Sequence, residues 1–191
     1  TLSFIYLIDV LFNLYVTLKS LHFPPEIIAT SGELASIKDK DLPIYSILVP
    51  LYKEANVLPE FIHSMDKLQY PKNKLDIMLL LEEDDVESID KAKELNLPAH
   101  YRTIIVPHSY PKTKPKACNY GLAFVKGEYV VIYDAEDKPE PLQLKKAYLA
   151  LSQSHDKIGC VQAKLNYFNS RDNLLTRFFT AEYSLWFDVI L

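Results

Sequence analysis

Cysteine is scarce. The two present, Cys118 and Cys160, lie far apart, match no metal-ligand spacing and read as reduced core residues, which fits a cytosolic face. A basic surplus is also missing: the net charge is -4, the pI is about 5.7 and the lysines are scattered, which argues against nucleic acid as a partner. Of only four glycines, none falls in PLYKEAN, the turn after the first predicted strand. A loop that cradles a triphosphate on backbone amides needs glycine there, so the turn counts against a sugar-phosphate nucleotidyltransferase. The same turn has Pro50 and Leu51 where a phosphoaspartyl receiver or phosphatase would carry its acids. Internal repeats and low-complexity segments are absent. The amino end has neither a basic n-region nor a small-residue cleavage site, which argues against a signal peptide.

What is present suits one core, since a domain takes roughly 100–200 residues and the chain has 191. The first residue is Thr and the final stretch, FFTAEYSLWFDVIL, stops in mid-pattern, so a piece of a longer protein is expected. Residues 1–18 are apolar apart from Asp9, Asn13 and a few hydroxyls, close to the roughly 20 residues a spanning helix needs. Two readings stand, a membrane helix with Lys19 and His22 at its cytoplasmic end and an amphipathic helix packed on the domain. Residues 1–23 are therefore taken as a hydrophobic segment, ended by Pro24 and Pro25, and 24–43 as a polar linker. Thirteen tyrosines and nine phenylalanines suit a sugar or membrane surface as well as a core.

From Ile44 onward, short β-branched runs alternate with helical patterns, the signature of successive βαβ units and of an α/β fold with a mainly parallel sheet. Strands are predicted at Ile44 to Val49, Leu75 to Leu81, Tyr101 to Val106, Val130 to Ile132 and Ile158 to Phe168. Helices are predicted at Asn56 to Leu68, Val86 to Leu95, Lys114 to Val125, Pro141 to Ser152 and Asn173 to Leu191, the last with an apolar stripe that includes Phe178, Trp186 and Val189. The run Val130 to Ile132 reads as a strand covered on both faces.

Three polar clusters follow predicted strands: Tyr52 with Glu54, Glu82 to Asp85, and Asp134 to Asp137. In a doubly wound sheet the carboxyl ends share one edge, where ligands bind, so the clusters converge on one crevice. Acids this close repel one another unless a cation or solvent holds them, and hard oxygen ligands at Asp134 and Glu136, with Asp137 adjacent, suit Mg2+ or Mn2+. The residues alone also allow a plain strand-to-helix turn whose acids favour the next helix's positive end. Lys112, Lys114 and Lys116, just ahead of a helix expected near Ala117, suit a diphosphate or a solvated loop.

VPLYKE at Val49 to Glu54, the acidic end of the second strand, KPKACNYGL at Lys114 to Leu122 and YDAEDKPEP at Tyr133 to Pro141 together resemble family 2 glycosyltransferases of the GT-A fold. The likeness is strongest to membrane-bound cellulose, chitin and hyaluronan synthases and covers Ile44 to Leu191. It implies a GT-A domain with helices on both faces of the sheet, and inverting transfer of a sugar from a nucleotide donor, commonly a UDP-sugar, to a glycan or other hydroxyl acceptor. It implies a protein of the cell membrane, with the catalytic domain cytoplasmic. By resemblance Pro50, Tyr52 and Glu54 contact the nucleoside, Glu82 reads the base, Lys116 lies near the donor, and Asp134 and Glu136 are the D-x-D acids that hold the metal. The pattern departs from the family twice. The run Glu82 to Asp85 leaves the base-reading acid open by one position, and Asp137 is an alternative to Glu136 as ligand. The family's T-E-D base and its Q-x-x-R-W motif are expected beyond Leu191, so this chain is expected to be inactive alone. Glu182 in TAEY is rejected as the base because its helix comes one element too early. The remaining alternative is a non-catalytic nucleotide-sugar-binding domain.

Overall fold

A computed structural model describes residues 2–22, 26–154 and 158–187 of the chain. Its α-helices and strands are α1 (Leu2–His22), α2 (Ser31–Ser36), β1 (Tyr45–Leu51), α3 (Leu58–Asp66), β2 (Leu75–Glu82), α4 (Val86–Glu94), β3 (Tyr101–Val106), α5 (Lys114–Leu122), β4 (Tyr129–Ile132), α6 (Gln143–Gln153) and α7 (Leu174–Leu185). They fall into two units, residues 29–152 and the described residues on either side of that stretch.

In the larger unit four parallel strands pair in the order β3-β2-β1-β4. Every residue of β1 and β2 is buried, which explains their mostly apolar runs, broken only by Ser46, Asp76 and Glu82: inner strands of a parallel sheet are covered on both faces. Side chains alternate between those faces. Ile47, Val49, Ile77 and Leu79 meet Phe61 and Met65 of α3, Ala92 of α4 and Leu144 of α6. On the opposite face Leu48, Met78 and Leu80 meet Ala117 and Cys118 of α5. Gly127 enters β4 where a Cβ would stand 2.6 Å from the Ile44 carbonyl oxygen and the Ser46 nitrogen, so only a residue without a side chain fits.

A polar network ties the strands together at their amino ends. The Ser46 hydroxyl donates to Asp76 at 2.7 Å and accepts from the Gly127 N–H at 2.9 Å, while Arg102 grips Asp76 at 2.6 and 2.8 Å. Burial works to raise the Asp76 pKa, but the hydrogen bonds from Arg102 and Ser46 outweigh it and hold the group below its ordinary 3.8. A carboxyl depressed on folding contributes stability above its unfolded pKa and loses it as pH falls through the folded one. Urea midpoints should therefore drop steeply below about pH 4, and Asp76→Asn should flatten that limb. An unchanged acid limb in the variant would contradict this.

Several expectations are corrected. Residues 158–168 are not a strand. Polar Gln162, Lys164 and Asn166 alternate with apolar Val161, Leu165 and Tyr167, but no ladder partner runs beside them among the described residues, and a lone strand is not stable. β4 is an edge strand rather than one covered on both faces: among the described residues it pairs only with β1, and Val130 and Ile132 are 40% and 55% exposed. Cys118 is buried as expected, whereas Cys160 is exposed. The linker holds α2, whose capping box joins Thr30 and Glu33. The predicted helix end at Pro24 and Pro25, and the predicted last turn of the final helix, Val189 to Leu191, lie outside the described residues.

In the smaller unit, α1 is long and apolar enough to cross a membrane: Leu2–Ser20 has mean hydropathy 1.5 and none of it is buried. The Asn13 amide donates to the Asp9 carbonyl at 2.9 Å and the Thr17 hydroxyl to the Asn13 carbonyl at 2.8 Å, which lowers the cost of taking these two groups out of water. α7 starts at an Asn173 cap that accepts from the Thr176 N–H at 3.0 Å. Among the described residues its stripe, Phe178 and Trp186 included, is exposed.

Candidate functional site

Because all four strands are parallel, Leu51, Glu82, Val106 and Ile132 end on one edge. The chain steps outward from β1 through β2 to β3, then returns to the other side of β1 for β4, so the strand order reverses between β1 and β4. Crevices open at such switch points.

The turn after β1 bends through Lys53, a non-glycine residue at φ 59. That conformation costs about 1–2 kcal/mol. It is held by the Lys53 N–H, which donates to Asp85 at 2.6 Å, while Asp85 also caps α4 by accepting from the Ser88 N–H at 3.3 Å. Two ammoniums lie over the Tyr52 ring, Lys112 at 5.1 Å and Lys53 at 5.3 Å from its centroid. Glu54 is half-buried. Burial pushes its pKa up, Asp134, Glu136 and Asp85 push it further, and Lys114 opposes them.

The acids after β2 do not act as one group. Glu82 is buried and accepts from Lys116 at 2.8 Å; Glu83 accepts from the His108 N–H at 3.0 Å; Asp84 pairs with Lys112; Asp85 braces the two turns just described. The turn after β4 is closed by Asp137, whose carboxylate accepts from the Asp134 N–H at 2.8 Å. Burial raises the Asp137 pKa, the bond from the Asp134 N–H lowers it, and the Asp134 and Glu136 charges raise it again. Glu136 is exposed, and Asp134 accepts from Lys114 at 2.8 Å.

The structure therefore brings Tyr52, Glu54, Asp134, Glu136 and Asp137 to one edge, with Glu82 held beneath Lys116; Pro50 is buried within β1. α5 starts at Lys114, where the helix predicted over Lys114 to Val125 begins, and not near Ala117, so Lys114 and Lys116 stand in its first turn rather than ahead of it. Each of the three lysines takes a different acid: Lys112 takes Asp84, Lys114 takes Asp134 and Lys116 takes Glu82. Spacing in the chain gave no sign of these pairings, because the partners are 20 to 34 positions apart.

Among the described residues no three acids, histidines or cysteines gather round one point. A hard divalent ion does not require that, since Mg2+ is commonly held by one or two carboxylates together with substrate phosphates and water. Asp134 and exposed Glu136 fit such a partial donor set. A cavity of about 300 Å3 lined by Leu165, Glu182, Tyr183, Trp186 and Phe187 belongs to the smaller unit and includes none of the predicted donor residues.

Residues 43–187 match the family described as "Glycosyltransferase like family 2". The chain belongs to that family. Among its relatives is the probable glycosyltransferase YdaM of Bacillus subtilis (strain 168), 31% identical over 146 residues, which make up 75% of this chain and 34% of YdaM. The chain thus spans about a third of that relative's length. Among solved structures, a mannosyltransferase, PcManGT from Pyrobaculum calidifontis, in complex with GDP-Man and Mn2+, superposes with a TM-score of 0.56 at 21% identity, over 73% of this chain and 38% of that one. S. aureus TarS 1-349 gives a TM-score of 0.51 at 18% identity, over 66% and 43%. These likenesses establish the GT-A-like fold of the family 2 domain.

Proposed function

We propose that this family 2 domain binds a nucleotide sugar, a UDP-sugar, at the edge where β1, β2 and β4 end. The intact protein then transfers the sugar with inversion to a glycan or other hydroxyl acceptor, in the manner of the membrane-bound polysaccharide synthases. The observation that carries this reading is the meeting of the β1 and β4 exit turns at the switch point, where Glu54, Asp134, Glu136 and Lys114 feel one another's charge. Pro50, Tyr52 and Glu54 take the nucleoside, Glu82 is the base-reading acid, and Lys116 fixes its carboxylate beside the donor. Asp134 and Glu136, with Asp137 beside them, hold Mg2+ or Mn2+. When bound, that ion neutralises charge on the departing diphosphate. The chain's own contribution is placement: Asp137 closes the turn that presents Asp134, and Asp85 fixes the turn that presents Tyr52 and Glu54. The carboxylate that deprotonates the acceptor is expected beyond Leu191, and Glu182 has no role at the donor site.

The test is to offer UDP-sugars in one arm and UTP with a sugar 1-phosphate in the other. Metal-dependent binding of UDP and UDP-sugars is expected. Pyrophosphate release in the second arm would overturn the reading in favour of a nucleotidyltransferase.

The membrane assignment rests on α1, which is apolar and unburied and turns the Asn13 amide and the Thr17 hydroxyl back onto its own carbonyls. Full-length protein is expected to stay in the membrane fraction after alkaline and high-salt washes, with the family 2 domain open to protease from the cytoplasmic side. Release by either wash would contradict α1 as a span.

A further inference from the structure

The three lysine–acid pairs at the edge are not alike. Lys116 grips a Glu82 side chain that is 4% exposed, whereas Lys114 and Asp134 are 48% and 42% exposed. An exposed ion pair contributes only about 0.2–1 kcal/mol, so the second contact opens easily. Lys114 is also the cation shared by the acids around it. Glu54, Asp134 and Glu136 all act on its ammonium, and Asp137 feels it in return. A divalent ion on Asp134 would share a carboxylate whose Oδ1 this ammonium already holds at 2.8 Å, and the two like charges would repel.

We propose that Lys114 is the site's resident counter-ion, which holds Asp134 in the ligand-free protein, is displaced by the divalent ion and then pairs with the donor's phosphates. The proposal rests on Asp134 and Glu136 being metal ligands. It makes metal and nucleotide binding cooperative: without phosphates the displaced ammonium exchanges its carboxylate partner for water, and with them it gains a charge-assisted partner.

The experiment follows free Mn2+ by electron paramagnetic resonance during titration of the full chain in detergent, with and without UDP. Wild type is expected to bind Mn2+ weakly alone and more tightly with UDP. Lys114→Met should bind Mn2+ alone about three- to ten-fold more tightly, as removing a like charge beside the ion predicts, and should lose most of the gain from UDP. Lys114→Arg, which keeps the charge, should behave as wild type and controls for altered folding. Mn2+ affinity that is unchanged or weaker in Lys114→Met, with UDP coupling intact, would overturn the counter-ion role and leave the metal site standing. Failure of every form to bind Mn2+ even with UDP, or binding that survives Asp134→Asn, would remove the metal site and the counter-ion role with it.

Discussion

Replacing Asp134 by asparagine is expected to weaken metal-dependent UDP binding about ten- to a hundred-fold, since a charged hydrogen-bond partner contributes roughly 1.5–3 kcal/mol. Asparagine keeps the shape of the turn, and the Asp134 N–H can still donate to Asp137. What is lost is one negative ligand and the partner of Lys114. The two losses act in opposite directions on a phosphate, because an unpaired Lys114 attracts it more strongly. The ion carries two charges and Lys114 one, so the loss of the metal should dominate, and the residual affinity should no longer respond to EDTA. Glu182→Gln, in the smaller unit, should leave binding unchanged.

Lys116→Met is expected to cost about 3 kcal/mol of folding stability as well as donor affinity, because it strands the buried Glu82 without its cation. Lys116 also donates to the Ser109 carbonyl at 3.2 Å, and its loss leaves the segment between β3 and α5 tied to the end of β2 by the His108 N–H bond to Glu83 and the Lys112–Asp84 pair. The double variant Lys116→Met with Glu82→Gln removes the stranded charge and should recover most of the stability. It should not recover nucleotide binding. Urea unfolding of the single and double variants, read beside UDP titrations, separates the two roles; equal instability of both would show that the cost does not come from the stranded carboxylate.

How far the fold was legible follows from the kind of signal each element carried. Strands β1 and β2 were readable because buried inner strands of a parallel sheet are mostly apolar runs bounded by polar turns, and β3 was readable by its β-branched Thr103 to Val106, its bounds matching the expected Tyr101 to Val106. The edge position of β4 was not readable, since Val130 to Ile132 has the same composition whether one or two neighbours cover it. Residues 158–168 misled for a related reason: alternation is a local signal, whereas a strand needs a partner. The opposite case is α2, whose Thr30 and Glu33 cap was legible by its spacing and was passed over as linker. At the site, the acids could be found because each follows a strand. Their pairing with Lys112, Lys114 and Lys116 could not, because it depends on how the sheet brings distant turns together.

The account depends most on Asp134 holding an ion that in turn holds the donor. Titration calorimetry of UDP into the chain, with Mn2+ and again with EDTA, for wild type and Asp134→Asn, tests this most directly. The expected result is binding by wild type that EDTA abolishes and that the substitution weakens at least about ten-fold. Affinity that is indifferent to EDTA and unchanged in Asp134→Asn would contradict it.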